Sequence, residues 1–179
     1  MKDQTINSGH ITLNQLVAIQ VKATEKKLMQ TIASIKQEDI NQVPFEGSWT
    51  AGQVFEHVNL SVSGVIDTLK APAEVTERSP DQHAQELKDL FLNFDLKFSA
   101  APTLIPSDRA HDKKALVSTL AGTFESLVGI IQTEDLTGTF AGFKFPGMGP
   151  LTRLEWVYLT IYHTQKHIHQ IKNIMKYVS

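Results

Sequence analysis

Three positions along the chain carry the same four-residue signal for the start of an α-helix. They are Thr12-x-x-Gln15, Thr50-x-x-Gln53 and Thr152-x-x-Glu155. In such a capping box, the Thr hydroxyl and the Gln or Glu side chain bond backbone N–H groups that the first helical turn leaves without partners. The three boxes therefore predict three helix N-termini and restrict the chain to folds in which helices begin at these points.

Apolar residues after each box recur with the period of an α-helix. The spacing predicts a first helix to about Gln37, a second that Pro72 ends, and a last one to about Tyr177. A further helix is predicted from about Asp112 to Thr133. Its apolar face comprises Leu116, Leu120, Phe124, Leu127 and Ile131. No segment alternates convincingly with a period of two, so the predicted class is all-α.

The connection between the second and third of these helices, from Pro72 to His111, is about forty residues long. Such a length is too great for a simple turn. Apolar spacing within residues 85–98 predicts a short helix that packs on the bundle. We therefore predict a four-helix bundle with a long crossover between helices two and three, a known variant of this architecture. Residues 1–179 are expected to form a single domain.

Composition and charge narrow the expected partners and location. The net charge is −2 and no basic stripe is visible, so a nucleic-acid partner is not expected. No apolar run approaches the ~20 residues that span a bilayer, so no membrane partner is expected. The N-terminal segment lacks the apolar core of a secretory signal, which favours a cytoplasmic location. The absence of Cys excludes thiolate ligands and Cys nucleophiles.

Histidine spacing indicates a metal site. His163 and His167 are four residues apart in the last helix, so their rings lie on one face and could bind one cation. Roughly 0.3 such pairs are expected by chance among seven His in 179 residues, so spacing alone is weak evidence. His57 lies at the edge of the apolar stripe of helix two and is the third candidate ligand. Alternatively, His57 is a partly buried side chain bonded to a backbone carbonyl.

The other His residues are less suitable as ligands, and several rival metal and catalytic motifs are absent. His169 is expected to face solvent and His111 to lie opposite the apolar face of helix three. His10 and His83 fall in terminal or loop segments. The chain contains no H-E-x-x-H, no Glu followed by His three positions later and no G-x-S-x-G.

Two segments resemble the DinB-like (damage-inducible) family. Gly47-Ser-Trp-Thr-Ala-Gly-Gln-Val-Phe-Glu-His-Val58 is similar to the start of the second helix of that family. Residues 149–171, with the pattern His163-x-x-x-His167-x-x-Gln170, are similar to its last helix. The resemblance implies an up-down-down-up four-helix bundle with a metal site at His57, His163 and His167. The metal in this family is zinc, nickel or iron, and members often form homodimers.

Three functions are compatible with these residues. The resemblance implies a metal-dependent S-transferase that uses a low-molecular-weight thiol, such as bacillithiol or mycothiol, on an electrophilic small-molecule substrate. A metal-dependent hydrolase is the second hypothesis, although no general base is evident near the triad. The third is a non-catalytic stress-response or binding module that the metal braces.

Two further features of the sequence are left with open roles. Gln170 either supports a ligand or is an ordinary polar residue of the helix. Residues 138–150 form a lid, a substrate wall, a partner surface or a loop packed on the core.

Overall fold

The computed structural model describes residues 11–178, so His10 lies outside the described residues. These residues form five α-helices and a short 3-10 helix at Pro102–Leu104. The α-helices are α1 (Leu13–Ala33), α2 (Ala51–Lys70), α3 (Ala84–Leu92), α4 (Lys113–Thr133) and α5 (Arg153–Val178). The four long helices are those predicted from the apolar spacing. The short helix α3 lies in the crossover, within one residue of the predicted start.

All three predicted capping boxes form. The hydroxyls of Thr12, Thr50 and Thr152 accept hydrogen bonds from the backbone N–H three residues later, at 3.1 to 3.2 Å. The side-chain oxygens of Gln15, Gln53 and Glu155 in turn accept a hydrogen bond from the backbone N–H of each Thr, at 2.9 to 3.0 Å. α1 ends at Ala33, before the predicted Gln37. The Ser34 hydroxyl bonds the Thr31 carbonyl there, which competes with continuation of the helix.

Contacts between the helices define the direction of each one in the bundle. α1 and α4 are antiparallel, because Asn14 bonds the Ile131 carbonyl and Lys113 bonds the Ala33 carbonyl at the other end. α2 and α4 run in the same direction, because His111, which precedes α4, lies against Gly52 at the start of α2, and Thr123 bonds Asn59 further along both helices. The final residues of α1 and α5 line one surface groove, so these two are also parallel. The up-down-down-up arrangement is confirmed.

A continuous apolar core lies between the four long helices. Its largest fully buried side chains include Leu28, Ile32, Phe55, Leu69, Leu120, Phe124, Leu127 and Ile131. By length and composition alone, α4 could cross a membrane, with a mean hydropathy of 1.4. This is weak evidence, because the core helices of soluble proteins pass the same test and the apolar face of α4 lies in this core.

Residues 138–150, expected to be a loop, belong mostly to a β-hairpin that the sequence did not predict. Strand β1 (Thr139–Phe145) pairs antiparallel with β2 (Gly149–Thr152). The register shifts between Thr139 and Lys144, so the extra residues of β1 interrupt the alternation by which a strand is recognised. Phe140 and Phe143 pack on Trp156 of α5. The hairpin is a minor addition to an all-α fold.

Two glycines of α2 provide opposite predictions for stability. A Cβ at Gly52 would lie 2.9 Å from the ring of His111, whereas a Cβ at Gly64 would meet nothing within 4 Å. We expect Gly64→Ala to raise the free energy of unfolding by about 0.5–1 kcal/mol, because Ala restricts the unfolded chain and favours the helix. Gly52→Ala should lower it by about 1–3 kcal/mol through overpacking. Urea denaturation measures both; equal effects would contradict the packing at Gly52.

Candidate metal centre

His57 lies near the middle of α2, where its side chain points into the bundle and is almost fully buried, with 4% of the residue exposed. Its Nδ1 lies 2.7 Å from the backbone carbonyl oxygen of Leu104, in the short 3-10 helix of the crossover. A carbonyl oxygen only accepts hydrogen bonds, so Nδ1 carries the proton and donates it. The Nε2 atom of the neutral ring is therefore left with a free lone pair.

His163 and His167 occupy successive turns of α5 and face His57. The Nε2 atom of His163 lies 3.1 Å from Nε2 of His57 and 3.0 Å from Nε2 of His167. One ligand nitrogen from each of the three rings lies within 4.8 Å of the others. The structure thus brings together the three residues that the sequence predicted as ligands, from two helices that are about a hundred residues apart in the chain.

Gln170, one turn after His167, contacts its ring. The Gln170 side-chain oxygen Oε1 lies 2.7 Å from Nδ1 of His167. Since this oxygen is an acceptor, Nδ1 of His167 donates the proton and Nε2 again has a free lone pair. Gln170 is therefore more than an ordinary polar residue of the helix, because it sets which nitrogen of His167 is protonated. Such outer partners orient the ligands in metal sites.

The environment keeps the three rings neutral. Burial lowers the pKa of His57, although the hydrogen bond to Leu104 partly opposes this effect. Burial and then the charges that His167 and His57 would carry hold the pKa of His163 well below its ordinary value. Burial, followed by the charge that His57 would carry, lowers the pKa of His167 to about 3. At neutral pH, all three imidazoles therefore retain lone pairs that can bind a cation.

The hydrogen bonding between the rings is incomplete without a cation. His57 and His167 each present an Nε2 lone pair to the same nitrogen of His163. That nitrogen has at most one proton, so it can donate to only one of the two rings. A divalent cation would satisfy all three lone pairs. Tetrahedral coordination at about 2.0–2.1 Å would separate ligand nitrogens by about 3.3 Å, close to the observed 3.0 and 3.1 Å.

Aromatic side chains surround the triad. The Trp49 ring centroid lies 5.1 Å from that of His57, and the Phe91 ring lies edge-on to His163 at 5.7 Å. Phe91 also contacts Phe98 and, from the hairpin, Phe145. These apolar walls exclude water from part of the site and so strengthen the attraction between a cation and its ligands. The sequence identified Phe91 only as an apolar residue of the short helix, because spacing does not show which ring a helix covers.

The remaining described His residues lie outside the triad. His83 bonds Glu86, and His169 stacks on Phe94 with ring centroids 4.0 Å apart. The expectation for His111 was wrong: its side chain is only 9% exposed and its Nε2 lies 2.8 Å from the Glu56 carboxylate. His111 precedes the first turn of α4, so the helical period that placed it opposite the apolar face does not apply there. Within residues 11–178, no Asp, Glu or fourth His joins the triad.

Comparisons with known proteins agree with this architecture. The family model of the DinB superfamily matches residues 20–171. A search of curated proteins found no significant match. Among solved structures, the crystal structure of TT2238, described as a four-helix bundle protein, is similar to the chain with a TM-score of 0.58. The identity is 18%, over 89% of this chain and 98% of TT2238, so this likeness concerns the fold alone.

Proposed function

Because the chain belongs to the DinB superfamily, we propose that it is a metal-dependent S-transferase that joins a low-molecular-weight thiol to an electrophilic small molecule. The observation that carries this proposal is the convergence of one ring nitrogen from each of the three His residues, all within 4.8 Å of one another. Three protein ligands leave coordination positions for a substrate, as in catalytic zinc sites. The fold alone would not support an activity.

The residues of the chain have distinct tasks in this proposal. His57, His163 and His167 hold the cation, while the Leu104 carbonyl and Gln170 keep two of the rings in the required tautomer. When bound, the cation would supply Lewis acidity that lowers the pKa of a thiol in the site, and a thiolate is the competent nucleophile. The thiol proton passes to solvent, the resulting thiolate sulfur bonds the electrophilic carbon, and the leaving group departs with the electron pair of the bond that breaks. The absence of Cys from the chain is compatible with a nucleophile that arrives as a cosubstrate.

Two other functions for the same site have less support. A hydrolase would benefit from a carboxylate base beside the metal, and none joins the triad within the described part of the chain. Glu56, although adjacent to His57 in sequence, is bonded to Ser107 and His111 instead. A purely structural metal site is usually closed by a fourth protein ligand. Three ligands with no fourth His, Asp or Glu within residues 11–178 therefore favour chemistry over bracing.

The test is the metal dependence of thiol transfer. Protein stripped of metal and then reloaded with Zn²⁺, Ni²⁺ or Fe²⁺ would be assayed with bacillithiol, mycothiol, glutathione and cysteine on 1-chloro-2,4-dinitrobenzene. We expect at least one metal and thiol to give a rate about 10-fold or more above that of the stripped protein, because a lowered pKa converts most of the thiol to thiolate at neutral pH. Stripped protein that matches the reloaded protein with every thiol would eliminate the proposed mechanism.

A further inference from the structure

We propose that Glu56 is a positioning residue for the metal site and acts through the crossover that it holds against α2. The inference rests on the proposed metal site, but its first measurement requires no metal. Glu56 and His57 are neighbours in α2, but their side chains have different partners, His111 and Ser107 for Glu56 and the other two rings of the triad for His57. Each nevertheless bonds the same short stretch of the crossover, residues 104–111, which we name the crossover clamp.

The Glu56 carboxylate is the centre of the crossover clamp. One of its oxygens, Oε2, accepts hydrogen bonds from the Ser107 backbone N–H and the Ser107 hydroxyl, both at 2.9 Å. The same oxygen accepts a third hydrogen bond from Nε2 of His111 at 2.8 Å. Bonds to an ionised acceptor are roughly twice as strong as neutral ones. Burial would raise the pKa of Glu56, but the bonds from His111 and Ser107 outweigh it and keep the pKa below its ordinary value.

The crossover clamp also contacts α2 at His57, the residue after Glu56. Leu104, three residues before Ser107, points its carbonyl oxygen at Nδ1 of His57, 2.7 Å away. Within residues 11–178, the Leu104 carbonyl is the group that fixes the proton of His57 on Nδ1, because the other hydrogen bond of the ring joins its Nε2 to His163. The Glu56 carboxylate thus holds the segment whose Leu104 carbonyl orients the ring of His57.

The other end of the crossover clamp is also closely packed. The backbone N–H of His111 donates to Asn41 at 2.7 Å, and its carbonyl accepts from Gln37 and Asn41. The His111 ring lies against Gly52, where a Cβ would come within 2.9 Å of it. The segment therefore has few alternative positions while Glu56 holds its middle. Without the carboxylate, Ser107 and His111 lose a common acceptor, and the segment that carries Leu104 is held to α2 mainly by the longer bond from Gln53 to the Ser107 carbonyl, at 3.2 Å.

The variant that tests this inference is Glu56→Gln, which keeps the size of the side chain and removes its charge. Long-range ¹H–¹⁵N spectra of the metal-free protein report which nitrogen of His57 carries the proton. We expect a single Nδ1–H tautomer in the wild type and a mixture of both tautomers in the variant. Zn²⁺ affinity, measured by competition with a chromophoric chelator, should fall about 10- to 100-fold, as for other outer-partner changes in metal sites.

Glu155→Gln is the matched control. The Glu155 carboxylate also accepts several hydrogen bonds, from Arg78, His83 and Thr152, but it contacts neither the crossover clamp nor the triad. This control should lower the thermal midpoint and leave the His57 tautomer unchanged. If Glu56 had a merely structural role, Glu56→Gln would give the same two results. An unchanged tautomer in Glu56→Gln overturns the inference.

A milder variant covers the case in which Glu56→Gln does not fold. Ser107→Ala removes one of the three donors and keeps the backbone N–H, so it should produce a smaller fraction of the second tautomer. If it leaves the His57 signals unchanged, the inference is wrong. The tautomer is measured without metal, so a shift in the variant would stand even if wild-type protein bound none of Zn²⁺, Ni²⁺ and Fe²⁺. In that case the proposed function would fail and the positioning role would not.

Discussion

Replacing His57, His163 or His167 singly by Ala is expected to lower Zn²⁺ affinity by about 100-fold or more. Zinc sites with four protein ligands contribute roughly 10–16 kcal/mol, or about 3 kcal/mol for each ligand. Each 1.4 kcal/mol corresponds to a tenfold change in affinity. The three rings are equivalent in this respect, because each supplies one Nε2 lone pair to the common point. The loss should therefore be similar at all three positions.

Elemental analysis after dialysis and competition with a chelator measure this loss. The control is His169→Ala, which changes a His of the same helix that stacks on Phe94 and bonds Asn173 instead. His169→Ala should retain a full equivalent of metal. Retention of tight binding after loss of a triad ring, or equal loss in the His169 variant, would show that the metal binds elsewhere.

Arg78→Met is expected to cost about 3–5 kcal/mol of folding stability, because it leaves a buried carboxylate without its cationic partner. The Arg78 guanidinium bonds both oxygens of Glu155, at 2.7 and 2.6 Å, and the Glu155 side chain is fully buried. Arg78 also bonds the Pro150 carbonyl at the hairpin. This ion pair joins the segment after α2 to the start of α5, so its loss affects both.

The pH dependence of this effect follows from the pKa of Glu155. Burial would raise that pKa, but the bonds from Arg78 and from the His83 and Thr152 backbone outweigh it and lower the pKa. Because the pKa of Glu155 is lower in the folded than in the unfolded protein, its ionisation stabilises the fold above the unfolded pKa of about 4.3. This stabilisation is lost as the pH falls through the folded pKa. Without Arg78, burial should raise the pKa, so the variant regains stability on protonation. The difference from wild type should then shrink as the pH falls from about 7 toward about 4.

Urea denaturation at several pH values measures this difference. Lys36→Met is the control, because the Lys36–Glu38 pair is 4.0 Å apart and about three-quarters exposed, as its side-chain values of 74% and 72% show. Exposed pairs contribute about 0–1 kcal/mol. A cost for Arg78→Met as small as that of the control would mean that Glu155 is not held by this ion pair.

Much of the fold could be predicted from local features of the sequence. The three capping boxes predicted helix starts to within one residue, because the bonds involved join residues only three apart. The apolar period predicted the four long helices for a similar reason, since it reflects which side of a helix faces the core. The hairpin was missed because a register shift in β1 interrupts the alternation that identifies a strand. The position of His111 was predicted wrongly because His111 precedes α4, so the helical period of α4 does not apply to it.

The sequence by itself determined the helices, their class and the pairing of His163 with His167 on one face, because these depend on residues one helical turn apart. Tertiary structure alone decided that His57 meets that pair, that the Leu104 carbonyl selects its tautomer, and that Phe91 covers His163. These contacts join residues that are 47 to 106 positions apart, or depend on a backbone atom that every residue shares. No local pattern encodes them, since they arise only when the crossover and the helices pack.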